Sequence, residues 1–169
     1  MPVASPIHEF LQKAHVSYTV LPHRPAYTAR EEAAAIHIPG RDWAKVVVCI
    51  VDGEPVEAVL PASAVVNLDR LLILAGGRRI RLAREDELVR LYPDCEPGAM
   101  PPFGPLYGQS VFVDAALATE HEIAFNGGTH TEAIRMHWAD FAATVGPIVG
   151  RFAELPRVKE EGFRSSFWE

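Results

Sequence analysis

The sequence predicts an α+β fold: a single domain in which helices surround one mixed, largely antiparallel curved sheet. Short turns join most of the strand-like segments, so hairpins outnumber strand–helix–strand units. The segment Trp43 to Val51 is apolar on both of its alternating faces, the mark of a strand covered from both sides. Between the strands, apolar residues recur at helical spacing.

Taken in order, Ser5-Pro6 opens the first helix with a capping serine and a proline at the first helical position. Ile7, Phe10, Leu11 and Ala14 follow at i, i+3, i+4 and i+7, so residues 6–15 read as an amphipathic helix. Val16 to Leu21 reads as a short strand, and Pro22 and Pro25 frame a loop. Thr28-Ala29-Arg30-Glu31 matches a capping box and starts a second helix, which ends before Pro39-Gly40. Trp43 to Val51 is the strongest strand, Asp52-Gly53 supplies a hairpin turn, and Glu54 to Leu60 returns. Asn67 caps a helix over 67–75 that Gly76-Gly77 stops. Ile80 and Leu82 mark a brief strand, and Glu85 to Leu91 a short helix. Residues 93–108, rich in proline and glycine, are predicted to hold no regular structure. Gln109 to Asp114 and Glu122 to Asn126 are strands, Gly127-Gly128 turns the chain, Thr131 to Met136 pairs back, and Trp138 to Val145 is a helix. The predicted division is a domain over 1–146 and a C-terminal extension over 147–169, whose Phe152, Phe163, Phe167 and Trp168 would pack on the domain or on a partner.

Composition narrows the function. A net charge of −6 argues against a domain that wraps a long nucleic-acid backbone, though not against contact with a few terminal nucleotides. Arg78, Arg79, Arg81, Arg84 and Arg90 crowd one segment and read as a solvated polar face. The longest apolar run, Val46 to Val51, is far too short to span a bilayer, and no leader pattern opens the chain, so a cytoplasmic protein without membrane contact is expected. Cys49 and Cys95 read as two reduced thiols. The histidines show no H-x-x-x-H pair and the cysteines no zinc box, so neither a metal nor a cofactor is expected. Nucleophile-elbow, Walker and dinucleotide motifs are all missing from the sequence.

Three features carry chemistry. Lys45 interrupts the apolar strand on the face of Trp43, Val47, Cys49 and Val51, and either snorkels from the strand end or enters a polar cavity. In a cavity its ammonium would be a point charge suited to carbonyl or phosphate oxygens, and burial would lower its pKa. The stretch Glu96 to Pro105 is a stiff loop whose backbone groups lie outside any ladder; it is either a plain connector or a cradle for a water or a developing oxyanion. Asn126-Gly127-Gly128-Thr129-His130-Thr131 is a turn whose glycines permit close backbone approach and whose histidine is either structural or a substrate contact.

Together these features resemble the YbaK/ProRS-associated (INS-like) aminoacyl-tRNA editing domains. Trp43-Ala44-Lys45-Val46-Val47-Val48 is similar to that family's lysine-bearing strand, Gly98-Ala99-Met100-Pro101-Pro102-Phe103-Gly104 to its G-x-x-x-P loop, and Asn126 to His130 with Ile134 to its glycine-rich hairpin. The likeness spans residues 5–146. It implies a free-standing deacylase that hydrolyses the ester between a wrong amino acid and the terminal adenosine of tRNA, often proline tRNA. It implies catalytic roles for Lys45, Gly98 and Pro102, with Lys45 orienting the ester and the Gly98 to Pro102 backbone holding the attacking water. It implies substrate contacts from Ala99, Met100, Pro101, Phe103, Gly127, Gly128 and His130, and phosphate contacts from Arg24, Arg30 and Arg41. The implied partners are the aminoacyl-tRNA 3′ end and an aminoacyl-tRNA synthetase, with a homodimer left open. Met100-Pro101 stands where relatives carry smaller or polar residues, which leaves the accepted amino acid open. A non-catalytic tRNA- or synthetase-binding module of the same fold is the rival reading, and a metal-free esterase for small acyl substrates is the third.

Overall fold

The central strands are covered on both faces, as an unbroken apolar run requires. The computed structural model describes residues 5–36, 38–40 and 42–156. In chain order the elements are Ser5–Lys13 (α1), Thr19–Pro22 (β1), Ala29–Ala35 (α2), Ala44–Val51 (β2), Glu54–Pro61 (β3), Val65–Val66 (β4), Leu68–Ala75 (α3), Ile80–Leu82 (β5), Glu85–Leu91 (α4), Ser110–Asp114 (β6), Ala115–Ala118 (α5), Glu122–Asn126 (β7), Glu132–His137 (β8), Trp138–Val145 (α6), Ile148–Gly150 (β9) and Ala153–Glu154 (β10).

The β2–β3 hairpin is the centre. Its register runs from Ala44 opposite Pro61 to Val51 opposite Glu54. Asp52 and Gly53 both take positive φ, as a tight two-residue turn requires, and the Asp52 carboxylate accepts the N–H groups of Arg78 and Arg79 ahead of β5. A five-stranded sheet follows in the order β5-β2-β3-β6-β9. Its β5, β2 and β3 are antiparallel, whereas β3–β6 and β6–β9 are parallel. A second, antiparallel sheet has the order β1-β8-β7. The two meet where Trp43 bridges Ala124 and the Ala124 N–H donates to the Asp42 carbonyl.

One face of the large sheet, with Ala44, Val59, Val111 and Val113, is covered by Ile7 and Leu11 of α1, Phe103, Phe125, Ile134 and Phe141. The other, with Cys49, Val51, Ala58, Leu60 and Phe112, is covered by Leu71 of α3 and Phe152. Asp114 fastens the chain after residue 146. One carboxylate oxygen caps α5 at the Ala116 N–H, and the other accepts from Phe152 N and Ala153 N at 2.9 and 2.8 Å. The arginine-rich segment is partly neutralised by α4: Arg81 forks onto Glu87 at 2.8 and 2.9 Å, and Arg84 and Arg90 pair with Asp86. Among the described residues no helix is long and apolar enough to cross a membrane.

The α+β class and the mixed, largely antiparallel pairing are as expected. Four details differ. The expected single sheet is three: the two joined at Trp43, because the chain leaves β1 for α2 before it enters β2, and a two-stranded antiparallel pair of β4 with β10. The first strand starts at Thr19, since α1 ends at Lys13 and His15 takes a positive φ. The 93–108 stretch is not wholly irregular: Gly104–Tyr107 forms a 3-10 turn with Pro105 in its first positions. Strands β4, β9 and β10 and the single-turn α5 were not foreseen, being too short for any period to register. Phe163, Phe167 and Trp168 lie outside the described residues.

Glu57 of β3 is fully buried beneath the 98–104 loop region. Tyr92 Oη lies 2.8 Å from Glu57 Oε2 and 2.7 Å from Gln109 Oε1. A phenol has one proton, so a protonated Glu57 donating to Tyr92, which donates to Gln109, satisfies the chain. Burial pushes the carboxyl up to about 8, only partly opposed by the Tyr92 hydroxyl and the Gly104 N–H. The folded state therefore favours the protonated acid, and this contribution is complete below the ordinary carboxyl value and lost as pH climbs toward 8. Glu57→Gln, which keeps a neutral donor, is expected to flatten most of the decline in Tm between pH 5 and 8. It should raise Tm at pH 8 by several degrees, at roughly 2–4 °C per kcal/mol for a chain of this size. Calorimetric melts across that pH range check it.

Candidate functional site

Lys45 is the second residue of β2, where the strand leaves the sheet junction. Opposite it the chain turns out of β3, and Ala62 N donates back to Trp43 O at 2.9 Å. That turn places the Ala62 carbonyl 3.4 Å from the Lys45 ammonium. The side chain is half-buried. Burial, then the nearby Arg30 of α2, holds the ammonium below the usual lysine range. Among the described residues, no carboxylate lies within ion-pair distance of Lys45. Two cations close enough to feel each other's field, with Lys45 lacking an acid partner among the described residues, make this spot electropositive and suited to an anionic or carbonyl oxygen.

The proline loop is fastened by backbone. Glu96 N donates to Gly128 O at 2.8 Å, and Gly128 N donates to Ala99 O at 3.0 Å. What the buried Gly127 and Gly128 admit is thus a second stretch of main chain, with Gly128 at φ +99°. Gly98, itself at φ +88° and exposed, gives its N–H to Met100 Sδ at 3.2 Å, a weak acceptor that leaves this donor open to a stronger one.

Side chains complete the fastening. His130 Nε2 donates to Pro97 O at 2.9 Å, and Asn126 Nδ2 donates to Gly98 O at 3.4 Å and to Glu32 Oε1 at 3.1 Å. Glu32 Oε2 lies 3.5 Å from His130 Nδ1. The Tyr27 ring covers the imidazole at 4.9 Å, and Glu96 accepts the His130 N–H at 2.7 Å. Helix α2 positions all of this. Thr28 caps it by accepting Glu31 N, and Glu31 returns a carboxylate to the N–H of Tyr27, one residue earlier than a capping box has it. Ala33 packs it on Trp43, Ala62, Ala124 and Ala133, so Arg30 reaches toward Lys45 while Glu32 faces the hairpin.

The expected site residues divide. Gly98, Ala99, Gly127, Gly128 and His130 come together around one loop, and Arg30 joins Lys45. Met100 and Phe103 do not face outward. Met100 packs on Val48 and Tyr92, and Phe103 lies among Phe10, Phe125 and Phe141, because a loop with so few ladder bonds is held down by its apolar side chains. Pro101 and Pro102 are buried with them. Arg24 is exposed next to His23, whose Nδ1 bonds the Arg24 carbonyl, and Arg41 lies outside the described residues. Glu32, Glu96 and Tyr27 were missed: Glu32 looked like an ordinary acid of a first helical turn, and only the hairpin above it reveals its burial. Burial pushes the Cys49 and Cys95 thiols up to about 11 and about 12, which keeps both from acting as nucleophiles. Among the described residues no three His, Cys, Asp or Glu side chains are grouped to hold a metal ion.

A family model described as an aminoacyl-tRNA editing domain matches residues 23–144, well over half of the chain. No curated protein matches the sequence at a significant level. Among solved structures, a hypothetical protein aligns with a TM-score of 0.80 at 21% identity, over 89% of this chain and 100% of its own. A protein proposed as a trans-editing enzyme for prolyl tRNA synthetase aligns with a TM-score of 0.77 at 23% identity, over 91% of this chain and 98% of its own. A candidate signal transduction protein from Marinobacter aquaeolei aligns at 0.70 and 18% identity, over 90% of this chain but 31% of its own. At these identities the likeness is one of fold.

The two loop glycines are expected to respond differently to alanine. At Gly104 a Cβ would meet Val111 Cγ2 at 2.4 Å and the Gln109 carbonyl oxygen at 2.5 Å, so Gly104→Ala is expected to cost ~2–3 kcal/mol. At Gly98 the nearest atom is His130 Cε1 at 3.5 Å, an ordinary contact, so Gly98→Ala carries only the strain of its positive φ, about 1 kcal/mol. Urea unfolding of both variants measures the difference.

Proposed function

Since the chain belongs to the aminoacyl-tRNA editing domain family, we propose that it is an aminoacyl-tRNA deacylase acting in trans. The reaction is hydrolysis of the ester that joins a wrong amino acid to the 3′-terminal adenosine, with a small residue on proline tRNA as the substrate. The likeness to a protein proposed as a trans-editing enzyme for prolyl tRNA synthetase supports that choice of tRNA, and with it that synthetase as the source of the error. The need is physical. A pocket for a small apolar side chain rejects a smaller one by only ~1–3 kcal/mol, so a second site must remove what slips through.

The observation that carries the reading is Lys45: a half-buried cation in the field of Arg30, with one weak hydrogen bond to Ala62 O and no acid partner among the described residues. Leaving a cation desolvated and unpaired is costly, and an incoming oxygen relieves that cost. Lys45 and Arg30 hold the terminal nucleotide and the ester. The Gly98 N–H, given up by the Met100 sulfur, polarises the carbonyl. Water attacks the carbonyl carbon, and a new C–O bond forms as the oxyanion builds. The oxyanion then collapses, the bond to the ribose oxygen breaks, and that oxygen takes the proton given up by the attacking water, passed through the neighbouring ribose hydroxyl. An ester needs little more than positioning and polarisation. The acidic chain, with Arg81, Arg84 and Arg90 already paired, makes few phosphate contacts, which implies modest affinity and a shallow salt slope.

The test is a panel of aminoacylated tRNAs, including proline tRNA charged with alanine. The expected result is release of one wrong amino acid, reduced ~100-fold or more in Lys45→Ala with an unchanged far-UV spectrum, the scale of losing one charge-stabilising donor. Tight tRNA binding without release would replace this reading with a non-catalytic module, and turnover of simple esters alone would replace it with a small-molecule esterase.

A further inference from the structure

Glu32 stands out among the buried groups. It is 1% exposed on a helix otherwise made of alanines at its buried face, and nothing in the hydrolysis above uses it. Burying a carboxyl there is unfavourable unless its bonds do something. They converge on the proline loop. Both protons of the Asn126 amide are committed, one to Glu32 Oε1 and one to Gly98 O, which fixes the amide's orientation. The Pro97 carbonyl only accepts, so His130 Nε2 carries a proton. His130 Nδ1 and Glu32 Oε2 then face each other at 3.5 Å, both buried and neither with a hydrogen bond elsewhere. Without a proton between them, two lone pairs oppose. With two protons, two donors oppose. One proton satisfies both.

We infer that Glu32 is a positioning residue of the editing site: it shares one proton with His130 and, through His130 and Asn126, fixes the carbonyls of Pro97 and Gly98 and so the path of the loop. This rests on the deacylase reading for its effect on catalysis, but not for the proton itself. Burial holds the Glu32 carboxyl up at about 7, opposed by Asn126 and His130 and assisted by Glu31, so Glu32 gives up its proton as pH rises past neutrality. Among the described residues, the other titratable groups facing the pair are Glu96, which accepts the backbone N–H of His130, and Tyr27, whose ring lies tilted against the imidazole. Loss of the proton sets a carboxylate against the imidazole lone pair and loosens the loop's first half.

The experiment compares the wild type with Glu32→Gln, whose amide keeps the Asn126 bond and gives His130 Nδ1 a permanent N–H. Nitrogen-edited spectra of the His130 ring and of the Gly98 and Ala99 amides are followed from pH 5 to 9, alongside deacylation of the mischarged tRNA from the panel. In the wild type the ring is expected in the Nε2–H form, and the ring and the two amides should move together with one midpoint near neutrality. In Glu32→Gln that common transition should vanish, with kcat/KM at pH 7 held within ~3-fold and its fall above neutrality removed. Glu32→Ala should lose ~10-fold or more in kcat with KM little changed. An unchanged His130 transition in Glu32→Gln overturns the inference, as do Gly98 and Ala99 amides that ignore it. Should the spectra behave as expected while no tRNA is deacylated, the positioning device stands and the deacylase reading falls.

Discussion

The site depends on one attachment: the backbone of Gly128 held between Glu96 and Ala99. A loop rich in proline makes few hydrogen bonds of its own, and without this short ladder its carbonyls would have no fixed direction. A side chain at Gly128, at φ +99°, would be strained. The attachment joins the hairpin of the small sheet to a segment that packs on the large one, so the geometry of the loop reports how the two sheets sit against each other. Trp43, bridging to Ala124, holds that relation at the other end of the junction.

Two buried carboxyls then secure the same loop at different points. Glu57, with Tyr92 and Gln109, lies under its far end near Gly104, and Glu32, with Asn126 and His130, grips its near end at Pro97 and Gly98. Each is kept protonated or half-protonated by burial rather than by an acidic neighbour. A charged acid at either position would need a cation, and among the described residues no lysine or arginine pairs with either. The loop is thus shaped by hydrogen bonds of buried groups rather than by lysine or arginine ion pairs.

Much of the fold was legible because its elements are long or sharply punctuated. The apolar run of β2 on both faces, the Asp52-Gly53 turn, the Asn67 cap with Gly76 at positive φ, and the Gly127-Gly128 turn each state one local rule, and the structure obeys it. The mutual position of the segments was not legible. Periodicity says that a residue is buried, not against what. Met100 and Phe103 look alike in sequence whether they line a pocket or fill a core, and the core claims both. Glu32 is the opposite case, a residue that reads as helix-start solvent charge and is enclosed only because a hairpin roughly a hundred residues later folds onto it. Lys45 was visible early, because a charge inside an apolar strand breaks a pattern. Its neighbour Arg30 became meaningful only in three dimensions.

The two parallel pairings carry a consequence for how the polypeptide acquires its form. Strand β6 pairs with residues 56–59 on one side and 148–150 on the other, and Asp114 then ties down Phe152 and Ala153. Such contacts are distant in sequence, and closing them is slow. During synthesis the β2–β3 hairpin has its partners early, but the cover over Phe112 stays incomplete until the segment around Phe152 emerges from the ribosome. Until then an apolar surface and an unpaired strand edge stay uncovered, so the nascent polypeptide is open to aggregation until the residues around Phe152 have joined the fold.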